Sequence, residues 1–600
     1  MDIVSKTPAV TPPARNDKTE ARTAVQTRRI QTTQKRSHLF HILILTALML
    51  LMALPGLSKL PVIDRDEARF AVASVQMAES GDYVSIRFQD EARNKKPAGS
   101  YWAQSAMIKL FSKPGERRIW VQRLPSVFAA LIAVLATYWA GIPMVGRKGA
   151  FIGASLLAVS GLMVFEAHIA KTDALLVATS ALLLASLAHL RQGGGRVFSL
   201  LFWAAIGLSI MIKGPVIPAL AIITLLTLYI WERGTNASRW TGSLLFWPGP
   251  VLCLLIVLPW SVLIWQATDG QFFRDAVGGD FGNKLIGAQE KHGGPPGLYI
   301  ASLPLAFWPA TLLLLPGIAF AIRAVKGKTR STNPVVRAMR LAVCFIVPYW
   351  LILEVVPTKL PNYLLPIYPA LALMAGGAAV TLLSTREFVW SRRLSGLLFI
   401  ISGIAVVAAL LLGESIYGPA AQWPYFVGGA SIIAILVAGI AFIFGKIRTA
   451  LTACFLAVCV INPASYHFLL PSLTELRLAD RVEEELRNHG VPLPREGGPA
   501  FLAFNFTEPS LVYQLGTEIR LGDQIDIEDS PVPGTIVLID LARPDSEPLA
   551  EAFHKVQLCL TEFSKFEGMN YSRGDPVTLQ LSEITPCPPQ KVSPESIDTQ

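Results

Sequence analysis

What most constrains this chain is the recurrence of apolar blocks of about 18 residues or more, the length a helix needs to cross the hydrocarbon core of a bilayer. The first is LFHILILTALMLLMALPGL, residues 39–57. Backbone polar groups inside a bilayer must be satisfied within their own segment, so such blocks fold as helices. Of the 600 residues, 52% are hydrophobic and only 16% charged, where a soluble chain carries roughly a quarter charged residues. The sequence therefore predicts a polytopic α-helical membrane protein with about 13 spanning helices. They fall near 39–57, 124–142, 150–166, 172–190, 197–213, 215–231, 245–266, 298–322, 341–357, 361–383, 394–413, 424–444 and 449–470. A cleaved signal peptide is disfavoured, because about 38 residues precede the first block and no A-x-A site follows it.

The net charge of +10 invites a nucleic-acid reading, but its distribution excludes one. Arg and Lys gather in short segments between apolar blocks, as in GRKG (146–149), RQGGGR (191–196) and TREFVWSRR (385–393). With a cytoplasmic N-terminus these segments alternate onto the cytoplasmic side, as the positive-inside rule requires. Residues 1–38, polar and rich in Thr, Pro and Arg, are a cytoplasmic disordered tail on this reading. Residues 39–470 form the transmembrane domain, with periplasmic loops near 58–123 and 267–297. Residues 471–600 form a small periplasmic α/β domain: a polar helix signal, LTELRLADRVEEELRNHG, precedes strand-like runs AFLAFNF, TIVLIDL, KVQLCL and VTLQL. Six cysteines make no framework and no C-x-x-C site, but Cys559 and Cys587 could pair if this region lies outside the cytoplasm.

The groups able to do chemistry lie in the outer loops. In VIDRDEARFAVASVQMAES the apolar residues recur at helical spacing, which predicts an amphipathic helix on the membrane surface. Asp66 and Glu67 at its start either cap the helix or supply a general base. Arg93, Lys95 and Lys96 form a basic cluster. On the outer face a phosphate ligand explains that cluster better than lipid headgroups do. EAHIAKTDALL gathers Glu166, His168, Lys171 and Asp173 at two helix ends, which favours a polar pocket over four unrelated charges. The second loop carries Arg274, Lys284, Lys291 and His292 amid dense Gly and Pro, as a flap would. A lone His more often makes ordinary hydrogen bonds, but His292 with a carboxylate could hold a metal. Lys359, between Pro357 and Pro361 with Tyr363 beyond, sits where broken helices line a cavity. There is no P-loop, dinucleotide-binding glycine motif or H-E-x-x-H.

In order, RDEARFAVASVQMAESGDYV, KKPAGSYW, VQRLPSVFAALIAVLATYW, HIAKTDALL, MIKGPV, HGGPPGLY and TKLPNYLLPIYPALALM cover about residues 60–375. This ordered set resembles the C-type glycosyltransferases that use polyprenyl-phosphate sugars, above all the lipid A aminoarabinose transferases and the bacterial protein-mannosyltransferase-like enzymes. The tail GMNYSRG is similar too. The resemblance implies a GT-C-like fold. It makes Asp66 the base or acceptor-orienting group, with Asp173 a second acidic residue of the cavity. It makes Lys96 and Tyr363 neighbours of the donor phosphate, and His292 half of a divalent-metal site. Where the family has the Glu of an E-K-P-P motif, this chain has Lys95, and Ala98 replaces the second Pro. A lysine is no anionic oxygen ligand, so its charge would replace the metal's.

The expected function is inverting transfer of a sugar from a polyprenyl-phosphate donor to lipid A, lipopolysaccharide or another envelope acceptor, with membrane lipids but no nucleic acid as partners. Asp66, Glu67 and Asp173 would be catalytic; Lys96, Lys95, Arg93, Tyr363 and Lys359 would hold the donor phosphate. No cofactor is certain, a divalent metal being the one possible. The alternative, a transporter or lipid flippase, predicts charges at mid-membrane depth and paired repeats, neither of which the sequence displays.

Overall fold

The computed structural model describes residues 37–588 apart from 114, 234–235, 283–292, 327–332, 386, 420, 523–531 and 544–546. Among the described residues nine helices are long and apolar enough to cross a membrane. The number is ten if Leu298–Ala306 and Ala310–Val325, bent by 114° at their junction, count as one span. Ser37–Ala53 and Val216–Trp231 are shorter apolar helices. Each of the 13 predicted blocks falls on helical backbone, so the difference in number lies in what counts as a separate crossing.

Helix Ile119–Val159 shows why the two counts differ. Gly146 within it has φ 73° and ψ 167°, which is not helical. A Cβ added at Gly141 would lie 2.7 Å from the Ala150 Cβ, whereas nine residues along a straight helix span about 13.5 Å. The chain therefore doubles back at Gly146, and the GRKG segment is a tight turn between two antiparallel helices. The second of these packs on Pro361–Ser384 through glycines. A Cβ at Gly153 would meet the Ala372 carbonyl oxygen at 2.6 Å, and one at Gly376 would meet that of Gly149 at 2.1 Å. Small residues four apart let helix backbones approach this closely where no hydrophobic force between helices exists.

At one end of the bundle the first long loop builds its own layer. Helix Asp66–Ser80 is followed by a two-stranded hairpin, β1 (Arg87–Phe88) and β2 (Glu91–Ala92), and by helix Gly99–Phe111. Beyond the bundle, β3 (Phe501–Phe504), β4 (Arg520–Gly522), β5 (Ile536–Asp540), β6 (Leu558–Asn570) and β7 (Asp575–Pro586) form one sheet, ordered β4-β3-β5-β7-β6. β3 runs parallel to β4 and β5, and β7 is antiparallel to β5 and β6. The polar helix signal forms Leu478–Asn488. Cys559 and Cys587 form a disulfide, and the other four cysteines are free.

One expectation is corrected. Helix Asp66–Ser80 does not turn its apolar residues to lipid. Its Ala68, Ala71, Val72 and Val75 pack with Leu478, Val482 and Leu511 of the C-terminal domain. Phe70, Ala73 and Met77 face Tyr101, Met211 and Trp260. Apolar spacing alone cannot tell a lipid surface from a protein one, and here both faces are covered by protein.

Candidate functional site

Helix Asp66–Ser80 starts abruptly. Arg65 before it has φ 65° and ψ −86°, near the strained geometry of a γ-turn. This turn sends two successive carboxylates in different directions. Glu67 points inward, and Arg123 meets it with Nε 2.8 Å from Oε1 and Nη2 2.8 Å from Oε2. The backbone N–H groups of Ile63 and Ala170 also donate to it, at 2.8 and 2.7 Å. A carboxylate sealed from solvent with four donors has no lone pair left for a substrate, so the geometry moves Glu67 from the catalytic candidates to the frame of the loop. Asp66 is exposed, within electrostatic reach of Lys171. Arg69 follows it by three residues on the same helix face.

Lys171 opens a chain of charges. Its Nζ lies 3.2 Å from Glu166 Oε1 and 3.3 Å from Asp173 Oδ2. Burial alone would lower the Lys171 pKa, but the carboxylates of Glu166, Asp173 and Asp66 raise it and keep the ammonium charged. Asp173 is the first residue of helix Asp173–Leu190, and Lys213 the last of Arg196–Lys213. Each charge suits the dipole of its own helix end. Lys213 Nζ lies 2.6 Å from Asp173 Oδ1 and 5.5 Å from the centroid of the Tyr363 ring. The Asn362 side chain also bonds Asp173. Asp173 is thus committed to two lysines and an amide, and what it does best is hold those lysines.

The basic cluster of the first loop divides. Arg93 is buried, with Nε 3.2 Å from the Tyr101 hydroxyl and its guanidinium 5.5 Å from the Phe70 ring centroid. Lys95 is exposed and Lys96 half-buried. Gly99 explains their position. A Cβ there would meet the Met211 carbonyl oxygen at 2.6 Å, so only glycine lets this segment seat on the helix end that carries Lys213. Asn94 donates to Asp275 at 2.9 Å, tying the first loop to the start of the second.

Lys359 is corrected as a phosphate ligand. Its ammonium donates to the carbonyls of Leu353, Glu354 and Val356 at 3.3, 2.9 and 2.5 Å. All three donors therefore close the C-terminus of helix Pro334–Val355. The second loop returns beside it, with Gly293 bridged to Thr358 and the Gly297 N–H donating to Glu354 Oε2 at 2.7 Å. Lys284, Lys291 and His292 lie outside the described residues. His168 packs within the fold, with its ring nitrogens 2.8 and 3.0 Å from the Val164 and Pro55 carbonyls and its ring stacked on Tyr466.

The structure therefore brings Asp66, Lys171, Asp173 and Tyr363 together, and adds Lys213. Lys213 lies in MIKGPV, one of the stretches that carry the resemblance, and its position at a helix end after an apolar run was the signal available. Asn362, Arg123 and Glu508 gave no such signal. Among the described residues the one cluster of metal-ligand type is His554 with Cys559 and Cys587, and those cysteines are disulfide-bonded.

Comparison with known proteins fits this picture. Residues 95–265 match the family model described as dolichyl-phosphate-mannose-protein mannosyltransferase. The undecaprenyl phosphate-alpha-4-amino-4-deoxy-L-arabinose arabinosyl transferase of Pseudomonas aeruginosa is 28% identical over 366 residues, 59% of this chain and 62% of that protein. Its Yersinia pestis counterpart is 26% identical over 369 residues, again 59% of this chain and 63% of the relative. The chain thus spans under two thirds of the length of these relatives. ArnT from Cupriavidus metallidurans, in a crystal structure with undecaprenyl phosphate, superposes with a TM-score of 0.65 at 18% identity over 90% of this chain and 97% of that one. The apo form gives 0.66. The chain resembles the polyprenyl-phosphate-sugar-dependent C-type glycosyltransferases, and its fold is that of ArnT.

Proposed function

We propose that this protein transfers a sugar from a polyprenyl-phosphate donor to a lipid A, lipopolysaccharide or other envelope acceptor at the periplasmic face of the inner membrane. The observation that carries the reading is the linked set Asp66, Lys171, Asp173, Lys213 and Tyr363 at one end of the bundle, on a fold shared with a protein whose structure holds undecaprenyl phosphate. Nucleotide sugars belong to the cytoplasm, so a sugar activated at the outer face must arrive on a lipid.

The donor presents a sugar C1–O–phosphate bond and an anionic phosphate. Lys213, Lys171, Lys96 and the exposed Lys95 supply positive charge around it, with Tyr363 beside Lys213. Positive charge fixed where the leaving phosphate gains charge lowers the barrier. The acceptor hydroxyl oxygen attacks C1, the C1–O bond breaks, and polyprenyl phosphate leaves with both bonding electrons. Asp66 orients the hydroxyl and takes its proton. Single displacement inverts the anomeric carbon. Asp173 acts by holding Lys171 and Lys213, and Arg93 by packing the first loop. A divalent metal would need an anionic ligand where Lys95 stands, and an ammonium there does not fit one.

Thirteen spans, a cytoplasmic N-terminus and a periplasmic C-terminus complete the reading. The short basic segments meet at the opposite end of the bundle, which supports this orientation. There Arg191 pairs with Glu232 at 2.7 Å, and Arg337 donates to the Arg191 carbonyl at 2.5 Å. Radiolabelled polyprenyl-phosphate sugars given to membranes with an outer-envelope extract test the function. Label should pass to an envelope glycolipid or glycan only when the chain is present. Movement of the donor across the membrane without a new glycosidic bond would instead mean a flippase.

A further inference from the structure

The first loop meets the C-terminal domain at polar contacts that the transfer chemistry does not use. The β6–β7 hairpin turn, NYSRG (570–574), rests against the residues just before Asp66. The backbone N–H of Asp64 donates to the Tyr571 hydroxyl at 2.5 Å, and the Ser510 N–H donates to Asp64 Oδ1 at 2.9 Å. Arg65 Nε lies 4.0 Å from Glu508 Oε2. Glu508 is itself buried and held from the turn, with Asn570 Nδ2 and Ser572 Oγ donating to its Oε1 at 2.9 and 2.7 Å. Arg573 Nε stands 3.4 Å from the same oxygen.

These contacts bracket a strained point. Arg65, with φ 65°, holds a conformation that a residue with a Cβ adopts only when its surroundings impose it. On the bundle side Glu67 is locked by Arg123; on the other, Asp64 and Arg65 are locked by the C-terminal domain. Asp66 lies between the two locks.

We infer that the C-terminal domain is a positioning element for Asp66, with Glu508 and Tyr571 holding the Asp64–Arg65 backbone so that the Asp66 carboxylate faces the acceptor. This rests on the glycosyl-transfer reading above. Neither residue touches substrate; both act through the turn at Arg65.

The test uses the full chain in lipid nanodiscs. Tyr571→Phe removes the acceptor of the Asp64 N–H and keeps the ring; Ser572→Ala loosens Glu508 and serves as a second variant where the first does not fold. Two quantities are read: hydrogen exchange of the peptide covering 63–67, and kcat against KM for the donor. Faster exchange should accompany a kcat about 10- to 100-fold lower, with the donor KM unchanged. A merely structural contact would alter melting or yield without that split. Faster exchange with parental kcat overturns the proposal, and so does unchanged exchange. If the parent chain itself transfers no sugar, the functional reading has failed, and exchange at 63–67 alone then decides the clamp.

Discussion

Glu67 and Arg123 face each other in an ion pair closed to solvent on both sides, with two contacts of 2.8 Å. The remaining donors of Arg123 go to the carbonyls of Leu57, Leu60 and Pro61 at 3.0, 2.9 and 2.7 Å. One guanidinium thus gathers the end of the first helix, the start of the loop helix and a residue of the bundle. Removing one member of a buried pair strands the other charge and costs about 3–5 kcal/mol. Arg123→Met and Glu67→Gln should each lower the melting temperature of the purified protein sharply, and Arg123→Met should reduce its yield. Parental melting in both variants would refute this structural assignment.

Asp66 stands one residue before that pair and behaves oppositely. It is exposed, lies within electrostatic reach of Lys171, and is the base in the proposed transfer. Asp66→Asn keeps the shape and removes only the charge. It should express and melt like the parent while transferring sugar about 10²–10⁴ times more slowly. Near-parental transfer would leave Asp66 with a structural role only.

Lys213 and Lys171 share Asp173 between them. Lys213→Met removes positive charge beside Tyr363 and frees one Asp173 oxygen. Donor binding, measured with undecaprenyl phosphate, should weaken by at least about tenfold, since a charge-assisted contact contributes roughly 1.5–3 kcal/mol. Asp173→Asn should weaken it as well, because the two lysines lose the group that holds them. Unchanged affinity in both variants would remove these lysines from the donor site.

How much of this was legible follows from what a sequence displays. The apolar blocks gave the helices because length and hydropathy are local. The turn at Gly146 was readable in GRKG for the same reason. The runs AFLAFNF, TIVLIDL and VTLQL became β3, β5 and β7, whereas β6 extends through TEFSKFEGMN, whose polar residues hid a long hairpin strand. The charged loops drew attention to one end of the bundle, but residue type does not say what a side chain faces. Glu67 and Asp66 are neighbours with opposite fates, and Lys359 spends its donors on carbonyls rather than phosphate. Arg123 and Glu508 find their partners 56 and 443 residues away in the chain. Such pairings are fixed by tertiary approach, which no local pattern records.

Asp64 gives the contact between loop and C-terminal domain a pH dependence. Burial and the nearby Glu508 carboxylate push its pKa from 3.8 up to about 7, against the bond from Ser510 and the charge of Arg65. The docked state therefore binds the Asp64 proton more tightly than the released one. Docking is strongest at low pH and weakens as pH rises through the window from about 4 to about 7. Hydrogen exchange of residues 62–68, corrected for intrinsic rates, should be slower at pH 5.5 than at pH 8. Asp64→Asn keeps the acceptor for Ser510 and should flatten the difference. A pH dependence that survives this change would have to come from another group.

Lys95 should decide how transfer responds to chelators. It is exposed at the edge of the first loop, where the resemblance calls for a carboxylate ligand. An ammonium repels a divalent cation at that position, and supplies the donor phosphate with some of the charge the cation would bring. Asp275 approaches this loop and accepts from Asn94 at 2.9 Å and from Gln271 at 2.6 Å, so each of its oxygens already holds one donor. Transfer should therefore persist in excess EDTA, and the purified protein should hold no stoichiometric zinc, manganese or magnesium. Lys95→Glu should weaken donor binding, and added metal should restore part of it by rebuilding an anionic ligand. Loss of transfer in EDTA, recovered by a single metal, would overturn the substitution of charge for metal. It would point to a site built on another carboxylate, with Asp275→Asn the variant to examine next.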